Sequence, residues 1–342
     1  MKRNSTYLII LLFLAATAYF LVFNQQKASM NAAEMAFAVK DTASITKIEI
    51  FSQTKRTLTL EKKGAGQWRV NQYYKASPEL VNGLLETMKQ LSVKFPVGKD
   101  AYDSVIKQFE KPIKTVKIYA DSQTEPFKEY AMGSTTSTGN GLFMLLKNSE
   151  QPYVVNIKGL DGNILPRFSN QLEAWRDRLL LDYAADDIAK IEAKYELKPE
   201  RSFALTVSNK NEYAVSSPSE KISEKQRLNK PLAATYLNSF ERLYSEAYEN
   251  EYPKIDSIRN SKAFCRLKIT DKNGKTKQLN IHHRDVNKRT KKQVDVNGVA
   301  MDYDSDRYFA FIEGQDDMFL IQEYVFGKVF KGFSDFYYEE VK

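Results

Sequence analysis

Ile45-Thr46-Lys47-Ile48-Glu49-Ile50 returns as Ile188-Ala189-Lys190-Ile191-Glu192-Ala193, 143 positions later. Each copy sets its apolar residues in partial alternation, as a strand with one buried face requires. Working outward, the same kinds of element follow each copy in the same order. In the first, two further strand patterns run from Arg56 to Lys62 and from Gln67 to Asn71, with Gly64-Ala65-Gly66 between them. In the second, Phe203 to Ser208 and Tyr213 to Ser216 take those places, turning through Asn209 to Asn211. A helical stripe comes next in both. Leu80, Leu84, Leu85, Met88 and Leu91 form the first, and Leu232, Tyr236, Leu237, Phe240 and Leu243 the second, 152 positions on. Each opens near a proline, Pro78 after Ser77 and Pro231 after Lys230, where the first helical turn tolerates it. Ser77 is placed to cap.

The later strand patterns pair as well. Val116-Lys117-Ile118 matches Leu267-Lys268-Ile269, Phe143 to Leu146 matches Phe309 to Ile312, and Tyr153-Val154-Val155 matches Phe319-Leu320-Ile321. Short closing segments, Leu165 to Phe168 and Phe330 to Phe333, complete each copy. A shared order of this kind indicates an internal duplication. It predicts an α+β protein of two units, 37–181 and 182–342, each an antiparallel sheet carrying a packed helix on one face. The junction, near Leu179 to Asp187, has no Gly/Ser/Pro linker, so the two units are expected to pack together. The aromatic tail, Phe326, Phe330, Phe333, Phe336, Tyr337 and Tyr338, reads as packing material for the core or for the contact between units.

Composition narrows the chemistry. With 342 residues, 42% apolar and 27% charged, the chain is neither disordered nor fibrous, and its length alone suggests about two domains. One cysteine, Cys265, excludes an internal disulfide framework and a cysteine-based zinc site, and no disulfide-linked partner is expected. Two histidines leave little for imidazole catalysis.

The N-terminus predicts a compartment. Lys2 and Arg3 precede an uncharged apolar stretch, Tyr7 to Phe23, which as a helix reaches about 25 Å, the lower limit for spanning a bilayer. Residues 1–6 would then be cytoplasmic, 7–23 an uncleaved single-pass anchor and 24–36 a linker, with the bulk of the chain in the periplasm of a bacterium. Ala16-Thr17-Ala18 is a passable cleavage site, but the apolar run continues beyond it through Phe23.

Candidate sites are few. His282 and His283 are adjacent on a strand and point to opposite faces, so they do not form a metal pair, and they read as surface or strand-edge residues. Cys265, inside a strand pattern, reads as a buried structural thiol. Asp302, Asp304 and Asp306 have calcium-loop spacing at the start, yet Arg307 stands at position six, so a solvated turn is expected. No catalytic, cofactor or metal residue is assigned. The remaining candidate is a basic finger between two strands: Arg284, Lys288, Arg289, Lys291 and Lys292, offset only by Asp285. Such a finger could meet an anionic lipid, an acidic partner or an anionic envelope polymer. Nucleic acid is disfavoured by the predicted compartment and by the lack of any binding motif.

Several segments resemble the bacterial family DUF4340, a domain of unknown function. They are Phe37 to Thr42 leading into Ile45–Ile50, then Leu58 to Leu60, Trp68 to Asn71, and Pro96-Val97 after the first helix. Trp175-Arg176-Asp177-Arg178-Leu179-Leu180, followed by Asp187-Ile188 and Lys190-Ile191, is the most specific part. No catalytic or ligand residue comes with that resemblance. It implies an N-terminally anchored envelope protein associated with an ABC transporter of the gliding-motility type. The polar insertion Ser217 to Lys230 sets the second unit apart from the first. The expectation is therefore a non-enzymatic, membrane-anchored scaffold or auxiliary subunit, with a binding module for an anionic polymer or lipid as the alternative.

Overall fold

The computed structural model describes residues 11–19 and 37–339, apart from 53–54, 65, 122, 161, 210–211, 289, 291–292 and 295–297. Residues 11–19 are helical and exposed. The rest of the expected anchor, 7–10 and 20–23, lies outside the described residues, as does the linker 24–36. Among the described residues no helix is long and apolar enough to cross a membrane. Two compact units divide between Asp177 and Arg178.

In the first unit β1 (Ile45–Ser52), β2 (Lys55–Lys63), β3 (Gln67–Val70) and β4 (Tyr74–Lys75) precede the helix Pro78–Gln90. After it come β5 (Leu91–Pro96), the short helix Lys99–Ile106, β6 (Lys114–Ala120), β7 (Lys128–Thr135), β8 (Leu142–Leu146) and β9 (Tyr153–Ile157). They form one antiparallel sheet in the order β4-β3-β2-β1-β6-β7-β8-β9-β5.

The second unit holds β10 (Leu179–Leu181), β11 (Ile188–Lys194), β12 (Phe203–Asn209), β13 (Glu212–Ser216) and β14 (Gln226–Leu228) before its helix, Lys230–Leu237. Then follow β15 (Leu243–Tyr244), β16 (Ala247–Tyr248), β17 (Cys265–Asp271), β18 (Thr276–Asp285), β19 (Tyr303–Ile312), β20 (Met318–Gln322) and β21 (Tyr337–Glu339). Its main sheet runs β13-β12-β11-β17-β18-β19-β20-β16, with β10-β15 and β14-β21 as separate two-stranded pairs. Apart from β4, the strands of the first sheet stand in the same order as those of the second. Because β10 pairs with β15, residues 179–181 go with the second unit, although a boundary after residue 181 was expected.

The repeated stretch shows why the two copies look alike. In β1 the register against β6 slips between Ile45 and Lys47, and in β11 the register against β17 slips between Ile188 and Lys190. An extra residue at this point turns the following side chains over. Ile45, Ile48 and Ile50 are therefore all buried, and so are Ile188, Ile191 and Ala193. A strict alternation would have exposed one of each set. Lys47 pairs with Glu49 at 3.0 Å, and Lys190 with Glu192 at 2.8 Å.

The helices keep their expected places with shifted faces. Ser77 Oγ accepts the Leu80 N–H at 3.4 Å, and Asn229 Oδ1 accepts that of Leu232 at 3.0 Å. Caps of this kind usually contribute about 1 kcal/mol. Val81, Leu84, Thr87 and Met88 face the first core, whereas Leu80 is exposed, and Leu91 has left the helix for β5. Tyr236, Leu237 and Phe240 are buried in the second core, joined there by Phe326, Phe330, Phe333 and Phe336 of the tail. Tyr338 stays exposed.

One helix per sheet is not the whole arrangement. Lys99–Ile106 sets Val105 against Val97 and Val154 in a cluster separate from the main first core. In the second unit Ile255 and Ile258, from the helix Ile255–Arg259, meet Phe309, Phe311, Met318 and Leu320. Both sheets are thus covered on two faces at one end, so β9 and β20 are buried along four of their five residues, Val154–Ile157 and Met318–Ile321, with Asn156 the one polar residue among them. Both tryptophans, Trp68 and Trp175, are buried in the first unit, and the Trp175 Nε1–H donates to the Ser169 carbonyl at 2.7 Å. Cys265 is buried in the second.

Candidate functional site

The basic finger joins β18 to β19, which are neighbours in the second sheet with His282 opposite Phe309 and His283 opposite Tyr308. Its base is built on a buried charge. Asp304 is fully buried and accepts from Arg284 Nη1 at 3.3 Å, from Asn287 Nδ2 at 3.4 Å and from the Asp306 N–H at 2.9 Å. The Arg284 guanidinium also stands 5.7 Å from the Phe309 ring centre. Arg284 is therefore occupied in closing the hairpin, and the finger loses one of its expected free cations. Lys288 is exposed, while Arg289, Lys291 and Lys292 lie outside the described residues.

Further contacts brace the loop. The buried Thr290 accepts the Asn287 N–H at 3.0 Å, and Gln293 Nε2 donates to Asp306 at 2.9 Å while its Oε1 accepts the Ser305 N–H at 3.1 Å. Val294 bridges to Ala300, and Val294 and Val299 are exposed. Farther along β19, Arg307 grips Glu246 through two bonds of 2.6 and 2.9 Å. This holds the Glu246 carboxyl below the usual carboxylate range.

The other candidates are also built into the structure. Of the three aspartates, Asp302 sits in an exposed bend just before β19, as a solvated turn would have it, whereas Asp304 and Asp306 belong to β19, Asp304 wholly buried and Asp306 exposed. Among the described residues no group of three or more His, Cys, Asp or Glu is arranged to hold a metal. The Cys265 thiol is pushed up to about 12 by burial, which keeps it protonated and unreactive at neutral pH. The histidines are not at a sheet edge. His282 is buried, with Nδ1 at 3.0 Å from Ser261 Oγ and its ring edge-on to Phe311. His283 stacks on Tyr303 with ring centres 3.9 Å apart.

Burial pushes both imidazoles down to about 4, helped by the Arg266 charge at His282 and that of Lys198 at His283. The unfolded chain, whose histidines charge near 6.5, binds more protons between those two values. The histidine contribution to stability is then complete above pH 6.5 and declines as pH falls toward 4. Melting temperatures of the wild type should drop across this window, and the H282Q/H283Q double variant should show a shallower drop. Equal slopes would refute the assignment.

The charged pairs were not visible in sequence. Arg284 and Asp304 are 20 residues apart, Glu246 and Arg307 61, and neither pairing has a local pattern. The strand pattern legible in the sequence begins only at Phe309, whereas β19 starts at Tyr303, so nothing in it places Asp304 on a buried face where a charge requires a partner.

The family model described as a domain of unknown function (DUF4340) matches residues 68–263, more than half of the chain, and crosses the division between the two units. No curated protein matches the chain, and no solved structure does.

Proposed function

The chain belongs to the DUF4340 family, and from that premise we propose that it is a non-enzymatic, membrane-anchored scaffold or auxiliary subunit of an ABC-type transport complex. In this reading residues 7–23 anchor the chain in the bacterial inner membrane with the N-terminus inside. Two sheet units descended from one duplicated ancestor then stand in the periplasm and present surface to the transporter. The observation that carries the reading is the use made of the reactive side chains. Cys265 and His282 are packed into the second unit, and Asp304 closes a hairpin. A chain whose scarce nucleophile, imidazole and buried carboxylate serve as packing and bracing suits binding better than turnover.

The test is crosslinking in intact cells, followed by purification of the tagged full-length chain in mild detergent. Recovery together with both a transporter membrane subunit and its ATPase is expected, and recovery of the chain alone overturns the proposal. The alternative, a binding module for an anionic envelope polymer or lipid, rests on the exposed Lys288 and the basic sequence around it. Neutralising Lys288, Arg289, Lys291 and Lys292 separates the two readings if Arg284 is left intact to hold the hairpin. Salt-sensitive binding to anionic polymer or vesicles that this change abolishes favours the alternative, and co-purification that survives it favours the scaffold.

A further inference from the structure

Two connections are longer in the second unit than in the first. β1 and β2 are joined by residues 53–54, whereas β11 and β12 are joined by 195–202. Between β3 and the main helix of the first unit lie residues 71–77, whereas between the equivalent β13 and the helix of the second lie 217–229. Both longer connections line one cleft of about 850 Å³, at the ends of β11, β12 and β13. That volume lies within the roughly 300–1,000 Å³ of small-ligand sites.

Much of the wall is carbon, from Ala193, Pro199, Phe203, Ala204 and Pro218. Both connections are braced locally. Ser202 Oγ accepts the Tyr195 N–H at 3.0 Å, and Ser217 Oγ accepts those of Ser219 and Glu220 at 3.2 and 3.1 Å. The two lining carboxylates are already engaged. Glu196 takes the Arg266 Nε–H at 2.8 Å and the Ala263 N–H at 2.7 Å, and Glu192 takes Lys190. The lining cations, Lys194 and Lys262, are exposed and make no ion pair among the described residues. An apolar trough whose acids are hydrogen-bonded or paired, and whose exposed lysines make no ion pair although Lys194 lies within the field of Glu196, is complementary to an apolar chain with an anionic end.

We propose that this cleft binds a single-chain anionic amphiphile, a long-chain carboxylate, with its carboxylate held by Lys194 and Lys262. The site goes beyond the scaffold reading and does not depend on it. The test uses the full-length chain in zwitterionic phosphatidylcholine nanodiscs and a photoactivatable palmitate analogue, with the crosslinked peptides mapped by mass spectrometry. Labels are expected in 192–204 and 216–219. Labelling should fall about tenfold in K194Q/K262Q, the size of a lost charge-assisted contact, and also in A204W, which fills the cleft. Palmitate should compete for the site at least about tenfold better than hexadecanol, its neutral counterpart. Labelling unchanged in K194Q/K262Q, equal competition by hexadecanol, or label confined to other segments each overturns the assignment. Should A204W not fold, the exposed lysines still decide.

Discussion

Replacing Asp304 with alanine is expected to destabilise the second unit by about 3–5 kcal/mol, the usual cost of removing one partner from a buried ion pair. Asp304 is completely buried, and the Arg284 side chain is only 22% exposed, so water replaces the lost carboxylate only in part. Asn287 and the Asp306 N–H lose an acceptor in the same step. Hydrogen-exchange mass spectrometry of β18 and β19 should show faster opening of both strands. The double variant R284M/D304L should recover only the part of the loss that comes from the unpaired guanidinium, because apolar groups of similar volume often replace a buried pair without penalty while Asn287 and the Asp306 N–H stay without this acceptor. A loss below about 1 kcal/mol in D304A would place the pair among ordinary surface contacts.

The second large effect is expected at Trp175. Truncation to alanine removes a side chain buried in the first core and should cost about 3–5 kcal/mol. It also takes away the partner of the Ser169 carbonyl. The residue holds a junction as well as a core position. Its own carbonyl accepts the Ser77 N–H at 2.8 Å, at the start of the helix Pro78–Gln90, and next to it Arg176 lies 4.0 Å over the Tyr74 ring. W175F should keep most of the packing and lose about 1–3 kcal/mol for the unmade hydrogen bond. Urea unfolding followed by far-UV circular dichroism measures both, and equal losses in the two variants would contradict the packing account.

Much of this architecture could be read from the chain. The offset between Ile45–Ile50 and Ile188–Ala193 located β1 and β11, and the paired segments located β6, β8 and β9 with their counterparts β17, β19 and β20. These are longer strands with a buried face, and burial leaves a pattern. What escaped leaves none. β4 and β16 are two residues long, and β14 pairs with β21 from near the far end of the chain. Leu91 continued the spacing of a helical stripe while belonging to β5, because the helix passes directly into the strand. The second-face helices were missed because Lys99–Ile106 buries only Val105 and Ile255–Arg259 is a single short turn. At the finger, charge alone marked the place. Arg284 counts as a free cation until its partner from β19 is seen.

The distribution of two rare residue types has a practical consequence. Both tryptophans lie in the first unit, and the single cysteine is buried in β17 of the second. Tryptophan emission therefore reports the first unit without labelling. The rate at which Cys265 becomes reactive toward a thiol reagent reports opening of the second, since the closed state keeps the sulfur from solvent and protonated. The wild-type chain thus carries one spectroscopic probe and one chemical probe, each confined to its own half. A single sample can be followed through both channels, and the difference between the two curves measures how far one half unfolds without the other.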